Sequence, residues 1–352
     1  MTPKNEVTLV ADDNGYAAHK IAWYDEGVIK TAKVNTAIET GHTNTTATGV
    51  KLNAYTVGDG KFTCTSDSNQ LINLRHDKYP LSVENRVLFT HAIVGAGLGD
   101  KLISAAVTLP FRDYYGEDGN INAEFAKEVA LNFKQNNVVI GDAGGKSLNV
   151  TNVQVVPEAV AAWFDWAMND DGSMNDEYYE MSEANGSMLV IDIGGSTTDI
   201  VSVTLDKDEN LIIRTDKSTS AKRGVLDAMG ALHTAIGDHL EKIGQGGSGH
   251  GFSLSQKLQM QALESGKIRL NGARHDFTEQ RNVACANTAN AIVNFINETV
   301  GSTLEYFSIL FVGGGSVVFK PWMEKMIPNA EFSDEFANAR GTLKYLKGKQ
   351  EG

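Results

Sequence analysis

The chain is poor in the features that mark a secreted or membrane-embedded protein. Its 352 residues include only two cysteines, Cys64 and Cys285, which lie far apart and make no metal-like spacing with histidine. Two free thiols are typical of a reducing compartment. No apolar run approaches the ~20 residues that cross a bilayer, and the opening "MTPKNEVTLV" is too polar for a signal peptide. We therefore expect a cytoplasmic protein with no membrane partner.

Positive charge is also scarce. The chain has 31 Lys and Arg residues against 44 Asp and Glu residues, which gives a formal net charge of −13. A surface of this sign repels the phosphate backbone of nucleic acids. The densest basic stretch, "KYLKGK" at 344–349, is typical of the solvated end of a helix. We therefore expect no direct contact with nucleic acid.

Glycine, by contrast, is plentiful. The chain has 35 glycines in 352 residues, roughly one in ten against a typical ~7%. Such a content indicates many tight turns or backbone that lies close to a ligand. The length favours two domains, each able to form its own core.

Strands that alternate with helices predict an α/β protein with a largely parallel sheet. Ser82 is a candidate N-cap for a helix near 83–96, and Pro157 is expected to open a helix that continues to about Met168. Further strands are expected at 7–11, 20–24, 28–34, 54–65 (a hairpin), 103–110, 150–156 and 307–312, and further helices near 122–136, 225–243, 253–265, 281–300 and 334–347.

Two polar stretches have no assigned task. Residues 169–186, "NDDGSMNDEYYEMSEANG", are acidic and rich in turn residues, and a solvated linker or surface insertion is the default interpretation. The segment "GQGGSGHG" at 244–251 lacks the lysine and Ser/Thr of a P-loop, so we interpret it as a solvent linker.

A strand, an Asp-Gly turn and a second strand occur near 9–24 and again near 189–204. The turns are "DDNGYAAHK" (12–20) and "DIGGSTTD" (192–199). Turns without large side chains leave backbone N–H groups exposed, and phosphate oxygens are natural acceptors for them. The hydroxyls of Ser196, Thr197 and Thr198 can add donors. One glycine-rich turn alone is usually structural. The prediction of a phosphate site therefore rests on several such segments and on their order in the chain.

The aspartates of these turns cannot bind phosphate directly, because like charges repel. We expect Asp13 and Asp192, one in each hairpin, to hold Mg²⁺ mostly through its waters, between carboxylate and phosphates. Two facing hairpins would then clamp a polyphosphate. A third element, "VGGGS" at 312–316, ends a strand and opens a helix, and it suits close contact with a nucleoside.

Five segments in this order resemble the motifs of the actin/heat-shock-chaperone/sugar-kinase ATPase superfamily. They are "DNGYAAHK" (13–20), "VVPEAVAAWF" (155–164), "VIDIGGSTTDI" (190–200), "LFVGGGS" (310–316) and "EFANARGTLKYL" (335–346). They are similar to the first phosphate loop, the first connecting helix, the second phosphate loop, the adenosine motif and the second connecting helix. Within the superfamily they are most similar to the plasmid-segregation ParM/StbA group of bacterial actin-like proteins.

The resemblance implies an actin-like α/β fold in which two α/β domains with related cores flank a nucleotide cleft. The expected bounds are 1–168 for the first domain, with a smaller subdomain near 30–100, and 187–328 for the second. The remaining 329–352 would form a C-terminal helix that returns to the first domain.

The resemblance also implies the site. ATP or GTP, with ATP favoured only by the weight of the family, would bind with Mg²⁺ in the cleft. Asp13 and Asp192 would hold the metal, and Glu158 and Asp192 would be catalytic. Glu158, placed in the first turn of its helix by Pro157, would orient water in line with the γ-phosphate. The nucleotide-binding residues would be Asp13, Asn14, Gly15, Lys20, Gly194, Gly195, Ser196, Thr197, Gly313, Gly314 and Gly315.

The function expected from this family is a polymerising ATPase. Its partners would be further copies of itself, in a homopolymeric filament, and an adaptor protein that binds the DNA, so that the filament segregates plasmid or similar DNA. The alternative is a small-molecule kinase on the same fold, which needs a catalytic base beside an acceptor hydroxyl. A chaperone-type ATPase is disfavoured because it would need a substrate-binding domain after residue 340.

Overall fold

The computed structural model describes residues 7–116, 118–244 and 252–351. The linker predicted at 244–251 lies outside them, apart from Gly244. Within the described part, no helix is both long and apolar enough to cross a membrane.

The first half of the chain forms two sheets with helices on their faces. A five-stranded sheet has the order β3-β2-β1-β7-β9, and a small four-stranded sheet has the order β4-β6-β5-β8. The elements are β1 (Val7–Asn14), β2 (Ala18–Asp25), β3 (Val28–Asn35), β4 (Ile38–Thr40), β5 (Ala54–Val57), β6 (Gly60–Cys64), α1 (Val83–Gly95), β7 (Leu102–Leu109), α2 (Phe111–Tyr115), α3 (Ala123–Phe133), β8 (Val139–Ile140), β9 (Asn149–Pro157) and α4 (Val160–Ala167).

The second half is built around a sheet of order β12-β11-β10-β16-β17, with β13 paired to β11 and a separate hairpin β14-β15. Its elements are α5 (Asp176–Glu183), β10 (Ser187–Ile193), β11 (Thr198–Leu205), β12 (Leu211–Ile213), β13 (Thr219–Ala221), α6 (Val225–Lys242), α7 (Gln256–Ser265), β14 (Lys267–Leu270), β15 (Ala273–Asp276), α8 (Thr278–Val300), β16 (Ser308–Val312), α9 (Gly314–Met326), β17 (Ala330–Phe332) and α10 (Ala337–Glu351).

The two main sheets repeat one topology. In the first, β1 pairs antiparallel with β2 and parallel with β7, which pairs parallel with β9. In the second, β10 pairs antiparallel with β11 and parallel with β16, which pairs parallel with β17. The sequence prediction of two related α/β cores is therefore confirmed.

Apolar composition explains why the central strands lie inside. The inner part of β10, "MLVIDI", is buried throughout, as expected for a strand covered by helices on both faces. Ser82 caps α1 as predicted, since its hydroxyl accepts a hydrogen bond from the backbone N–H of Asn85.

The prediction that Pro157 opens a helix is wrong. Pro157 is the last residue of β9, and α4 begins at Val160. Because β9 is an edge strand of its sheet, the missing N–H of a proline is tolerated there. The chain turns at Ala159, whose φ of 62° lies in the left-handed region. Glu158 therefore lies in the strand-to-helix junction and not in a helical turn.

The prediction that 169–186 is a solvated loop is also wrong for much of its length. Residues 176–183 form α5, whose N-cap Asn175 accepts a hydrogen bond from the backbone N–H of Tyr178. Tyr178 and Met181 are buried in the core with Trp163. Two apolar side chains three residues apart face one side of this acidic helix, and that spacing suffices to attach it to the protein.

The last helix, α10, packs against α4 and against β1 and β2 of the first sheet. Ala339 and Leu343 pack there with Ala11 and Ala22. Gly341 allows the close approach, because a Cβ built on it would lie 1.8 Å from the carbonyl oxygen of Ala161. This packing brings the start of α10 to the ends of β9 and β10.

Candidate functional site

Two hairpin turns face each other between the main sheets. The β1–β2 turn and the β10–β11 turn meet at Ala17 and Gly195. A Cβ built on Gly195 would lie 2.5 Å from the Cβ of Ala17 and 2.7 Å from its backbone nitrogen. Glycine is therefore needed at 195 for the two turns to approach this closely.

Most of the predicted site residues line one cleft beside these turns. They are Asp13, Asn14, Gly15, Lys20, Glu158, Asp192, Gly194, Gly195, Thr197 and Gly314. They come from both halves of the chain, so the fold brings together side chains up to three hundred positions apart.

Asp13 and Lys20 form a buried ion pair on the first hairpin. The two residues lie opposite each other in the β1–β2 register, and Lys20 Nζ is 2.5 Å from Asp13 Oδ2. Asp13 Oδ1 accepts a hydrogen bond from the Thr108 hydroxyl at 3.2 Å. Burial alone would lower the pKa of Lys20, but the charges of Asp13 and Asp192 outweigh it and raise that pKa. Lys20 is thus a fixed positive charge in the cleft.

Asp192 lies across the cleft at the end of β10. Its Oδ2 accepts a hydrogen bond from Asn338 Nδ2 at 2.6 Å, which ties α10 to the second sheet. Its Oδ1 lies against Gly313, where a Cβ would come within 2.2 Å of it. Burial, followed by the charge of Asp13, raises the pKa of Asp192 to about 6.

Glu158 completes a group of three buried carboxylates. Its Oε1 accepts a hydrogen bond from the Thr108 hydroxyl at 3.3 Å, and the same hydroxyl contacts Asp13. Burial raises its pKa well above the ordinary range, and the charges of Asp13, Asp199 and Asp192 raise it further. Its backbone N–H donates to the carbonyl of Leu109, so the end of the sheet and not a helix dipole orients this side chain.

Three of the predicted residues do not line the cleft. Ser196 is buried, and its hydroxyl accepts a hydrogen bond from Arg75 Nε. Gly313 and Gly315 are buried beneath the turn, and a Cβ on Gly315 would lie 2.1 Å from Ile193 Cγ2. These two glycines therefore allow packing of α9 on β10. Thr198, also expected to offer a hydroxyl, donates it to the carbonyl of Arg223.

Gly314 is the glycine of this group that faces the cleft. A Cβ built there would find only Glu335 Oε2, at 3.9 Å. The helix α9 begins at Gly314, within the segment 312–316 that was expected to open a helix. The missing side chain leaves open space beside the first turn of the helix.

Sequence reasoning missed the apolar part of the cleft, which is lined by Val225, Met260, Leu263, Val317 and Val318. These residues lie at the starts of α6 and α9 and on α7. At helical spacing they are indistinguishable from ordinary core positions, so the sequence carries no signal for them.

Two charged features were also missed. Lys33 on β3 and Glu335 before α10 form an ion pair of 2.8 Å and both line the cleft. Asp199 is buried under the site and accepts hydrogen bonds from the Phe111 backbone and the Ser220 hydroxyl. Burial, followed by the charge of Asp192, raises the pKa of Asp199 to about 7.

The donor set fits a hard divalent cation held jointly with a ligand. The described residues hold no cluster of three or more histidine, cysteine or acidic groups suited to bind a metal alone. The cleft does offer the carboxylates of Asp13 and Asp192 beside exposed backbone. Mg²⁺ is usually bound by one or two carboxylates plus phosphate oxygens and water, and this set matches that requirement.

Comparison with known proteins gives a family-model match for each half of the chain. Residues 8–169 match the family model of the plasmid segregation protein ParM, N-terminal. Residues 190–325 match the model of the archaeal actin homologue MreB-like, C-terminal. The first half of the chain is therefore similar to ParM, and the second half is similar to archaeal actin homologues. No curated protein matches it in sequence.

Solved structures show that this ParM-like chain has the actin-like fold along nearly its whole length. A 15-stranded ParM filament from Clostridium botulinum is 20% identical with a TM-score of 0.73, covering 98% of this chain and 99% of that one. A non-polymerisable quadruple mutant of pCBH ParM is 19% identical with a TM-score of 0.71, covering 98% and 100%. An archaeal actin homologue in complex with ADP is 20% identical with a TM-score of 0.69, covering 99% and 100%. The predicted fold class is confirmed.

Proposed function

We propose that this chain is a Mg²⁺-dependent ATPase, or GTPase, that assembles into filaments in the cytoplasm when nucleotide binds. The observation that carries the proposal is the meeting of Asp13, Lys20, Glu158 and Asp192 between two facing glycine turns. Exposed turn backbone, a fixed cation and paired carboxylates are what a polyphosphate with its metal requires.

Each part of the cleft has a separate task in this proposal. The backbone N–H groups of Gly15 and Gly195 and the ammonium of Lys20 bind the phosphates, while the N–H of Gly194 closes its turn by donating to the Thr197 carbonyl. Asp13 and Asp192 hold the magnesium, which supplies positive charge that offsets the phosphates. The open side of Gly314, together with the apolar cleft residues, receives the nucleoside.

Glu158 is the residue best placed to orient the attacking water. Phosphoryl transfer needs little covalent help from the protein, so the position of the nucleophile is the main contribution. The raised pKa of Glu158 makes it a stronger base than an exposed glutamate once it is deprotonated.

Two comparisons support assembly: the C. botulinum ParM was solved as a filament, and the pCBH ParM was solved as a non-polymerisable mutant. The net charge of −13 suits a filament that reaches DNA only through an adaptor protein. Segregation of plasmid or similar DNA through that adaptor is the cellular task we propose.

Light scattering of the purified protein with Mg-ATP or Mg-GTP tests the proposal. Scattering should rise steeply above a critical concentration, and chelation of Mg²⁺ by EDTA should abolish the rise. Asp192→Ala should weaken Mg-nucleotide binding and prevent assembly while the protein stays folded.

The kinase alternative predicts a different result. A small-molecule kinase would show no scattering increase, and its turnover would depend on an added acceptor. Normal nucleotide affinity in folded Asp192→Ala protein would remove the metal role of this carboxylate.

A further inference from the structure

A segment of the first half of the chain reaches across the cleft to the second half. Residues 66–77, which we call the strap, follow β6. At one end the Ser66 carbonyl accepts a hydrogen bond from the Lys257 backbone, and Asp67 pairs with Lys257 Nζ at 2.9 Å. At the other end Asp77 pairs with Lys222 Nζ at 2.6 Å.

Arg75 of the strap contacts the β10–β11 turn, which is the second phosphate turn of the proposed function. Its Nε donates to the hydroxyl oxygen of Ser196, and its Nη2 lies 2.7 Å from Asp227 Oδ1. Gly194 N–H bonds to the Thr197 carbonyl, so Ser196 is a central residue of the β10–β11 turn. The Arg75 side chain is 37% exposed, whereas Ser196 is 4% exposed. The hydrogen bond therefore fixes a buried part of the turn from outside.

Asp227 holds the other side of the same turn. Its Oδ2 accepts a hydrogen bond from the Gly224 backbone, which fixes the start of α6. The next two backbone N–H groups of α6 donate to the carbonyls of Gly194 and Gly195, at 3.1 and 2.9 Å. A Cβ on Gly224 would lie 2.5 Å from the Gly195 carbonyl oxygen, so the helix start is pressed against the turn.

We propose that Arg75 is a positioning residue that sets the geometry of the second phosphate turn from the opposite side of the cleft. One guanidinium joins Ser196 in the turn to Asp227 at the helix start beneath it, and a planar fork with several donors suits such a double contact. Its effect on turnover rests on the proposed ATPase function, while its effect on the turn does not.

The consequence is a link between closure of the strap and order in the phosphate turn. When the strap leaves, the Ser196 hydroxyl and the Asp227 carboxylate lose their common partner. The backbone N–H groups that receive phosphate then lose part of their preorganisation, and small displacements of positioning groups reduce turnover strongly.

Hydrogen exchange at residues 194–197 in the ligand-free protein tests the effect on the turn. Arg75→Ala should speed exchange of these amides by roughly 3- to 10-fold, since a hydrogen bond to a charged group is lost at a partly exposed site. Arg75→Lys should restore only part, because an ammonium cannot reproduce the fork. Lys222→Ala, which removes a strap ion pair without touching the turn, should exchange as wild type does.

Phosphate release tests the effect on turnover. Arg75→Ala should lower kcat by about tenfold while KM changes less, as expected when positioning rather than binding is lost. Equal exchange in wild type and Arg75→Ala, or equal effects of Arg75→Ala and Lys222→Ala, would overturn the proposal. If the wild type hydrolyses no nucleotide, the ATPase function fails, and the exchange experiment still decides the role of Arg75.

Discussion

Buried charge dominates the site at the scale of single residues. Asp13, Glu158 and Asp192 surround Lys20 in space from which water is largely excluded. Burial, and after it the charges of the neighbouring carboxylates, raises the pKa values of Glu158 and Asp192, because three carboxylates and one ammonium cannot all be charged at low cost in such a site. In the proposed function, a divalent cation would supply the missing positive charge.

The free-energy cost of burying a charged carboxylate can be measured at Asp199 as a change in protein stability. Its pKa is about 7 in the folded protein against 3.8 ordinarily, so between these values the folded state binds more protons than the unfolded state. The free energy of unfolding therefore falls as pH rises through this window, and the penalty is fully present above it. Asp199→Asn keeps an acceptor for the Phe111 N–H. Relative to wild type it should gain on the order of 2 kcal/mol between pH 5.5 and 8.

Urea unfolding of both proteins across that range measures the gain. Asp206→Asn is the control. Hydrogen bonds from Asn210 lower the pKa of the exposed Asp206, so this carboxyl is ionised in both states across the range, and its substitution should change stability by an amount that does not vary between about pH 5.5 and 8. A difference between Asp199→Asn and wild type that does not change with pH would contradict the argument.

The glycines that open α9 should separate binding from folding. Gly314→Val places a side chain in the cleft, where only Glu335 lies near, so it should lower nucleotide affinity and leave the fold intact. Gly315→Ala forces a Cβ against Ile193 and should cost about 1–3 kcal/mol of stability. Titration of a fluorescent nucleotide and thermal unfolding distinguish them. Normal affinity of Gly314→Val would mean that this glycine only makes the turn.

At the scale of elements, local signals predicted the fold well. Ser82 indicated the start of α1 because an N-cap is a local hydrogen bond, and the repeated strand-turn-strand pattern indicated two related sheets. Pro157 misled because edge position in a sheet is a tertiary property that local sequence does not carry. The acidic helix α5 was missed because its two anchoring side chains, Tyr178 and Met181, are few among polar neighbours.

Sequence predicted the site residues whose role depends on turn backbone and charge. It did not predict the residues whose position depends on tertiary packing. Asp13, Lys20 and Asp192 flank glycine turns between apolar strands, where charged side chains are rare unless a ligand or an opposite charge meets them. Ser196 was expected in the cleft, but a partner 121 positions away in sequence binds its hydroxyl. Met260 and Leu263 have no signal that separates them from core residues.

The crossing of α4 and α10 depends on one position that has no side chain. A Cβ on Gly341 would meet two backbone atoms of α4, at 1.8 and 2.6 Å, and backbone cannot rotate away as a side chain can. Gly341→Ala should therefore cost at least about 2 kcal/mol. It should also lower nucleotide affinity, because displaced Asn338 would no longer hold Asp192.

The matched control is Gly230→Ala in α6, where a Cβ would meet nothing within 4 Å. That change should stabilise the protein by roughly 0.5–1 kcal/mol, the ordinary helical preference for alanine. Denaturant unfolding of both variants checks the pair. Equal and small effects would mean that the two helices have room to separate.

At the scale of the whole molecule, the halves are joined by links that surround the cleft. Asn338 bonds both to Asp192 and to the Ala159 backbone, and Lys33 pairs with Glu335. The strap adds ion pairs on another side. A nucleotide bound in this cleft, as proposed, would touch both halves, so its phosphates would bias how the halves close on each other. Filament stability would then follow the state of the nucleotide.

Substitution of Glu158 should break the proposed coupling between the state of the nucleotide and the stability of the filament. If this carboxylate orients water, Glu158→Ala should still bind nucleotide and assemble, whereas phosphate release should fall by on the order of 10²-fold. Glu158→Gln should behave alike, and loss of the base should remove the rise of the wild-type rate with pH, because only the deprotonated carboxylate can accept a proton. Filaments of both variants should persist, since in the proposed function hydrolysis destabilises them.

Phosphate release and filament lifetime, measured in parallel, decide the role of Glu158. Glu324→Gln on the exposed face of α9 serves as the control and should match wild type in both measurements. In the contrary case, the Glu158→Ala protein would hydrolyse nucleotide at the wild-type rate and form filaments with the wild-type lifetime. That result would mean that this glutamate has only a structural role at the end of β9. Slow hydrolysis with short-lived filaments would instead separate disassembly from phosphate release, because the carboxylate would then act on the reaction without controlling closure of the two halves.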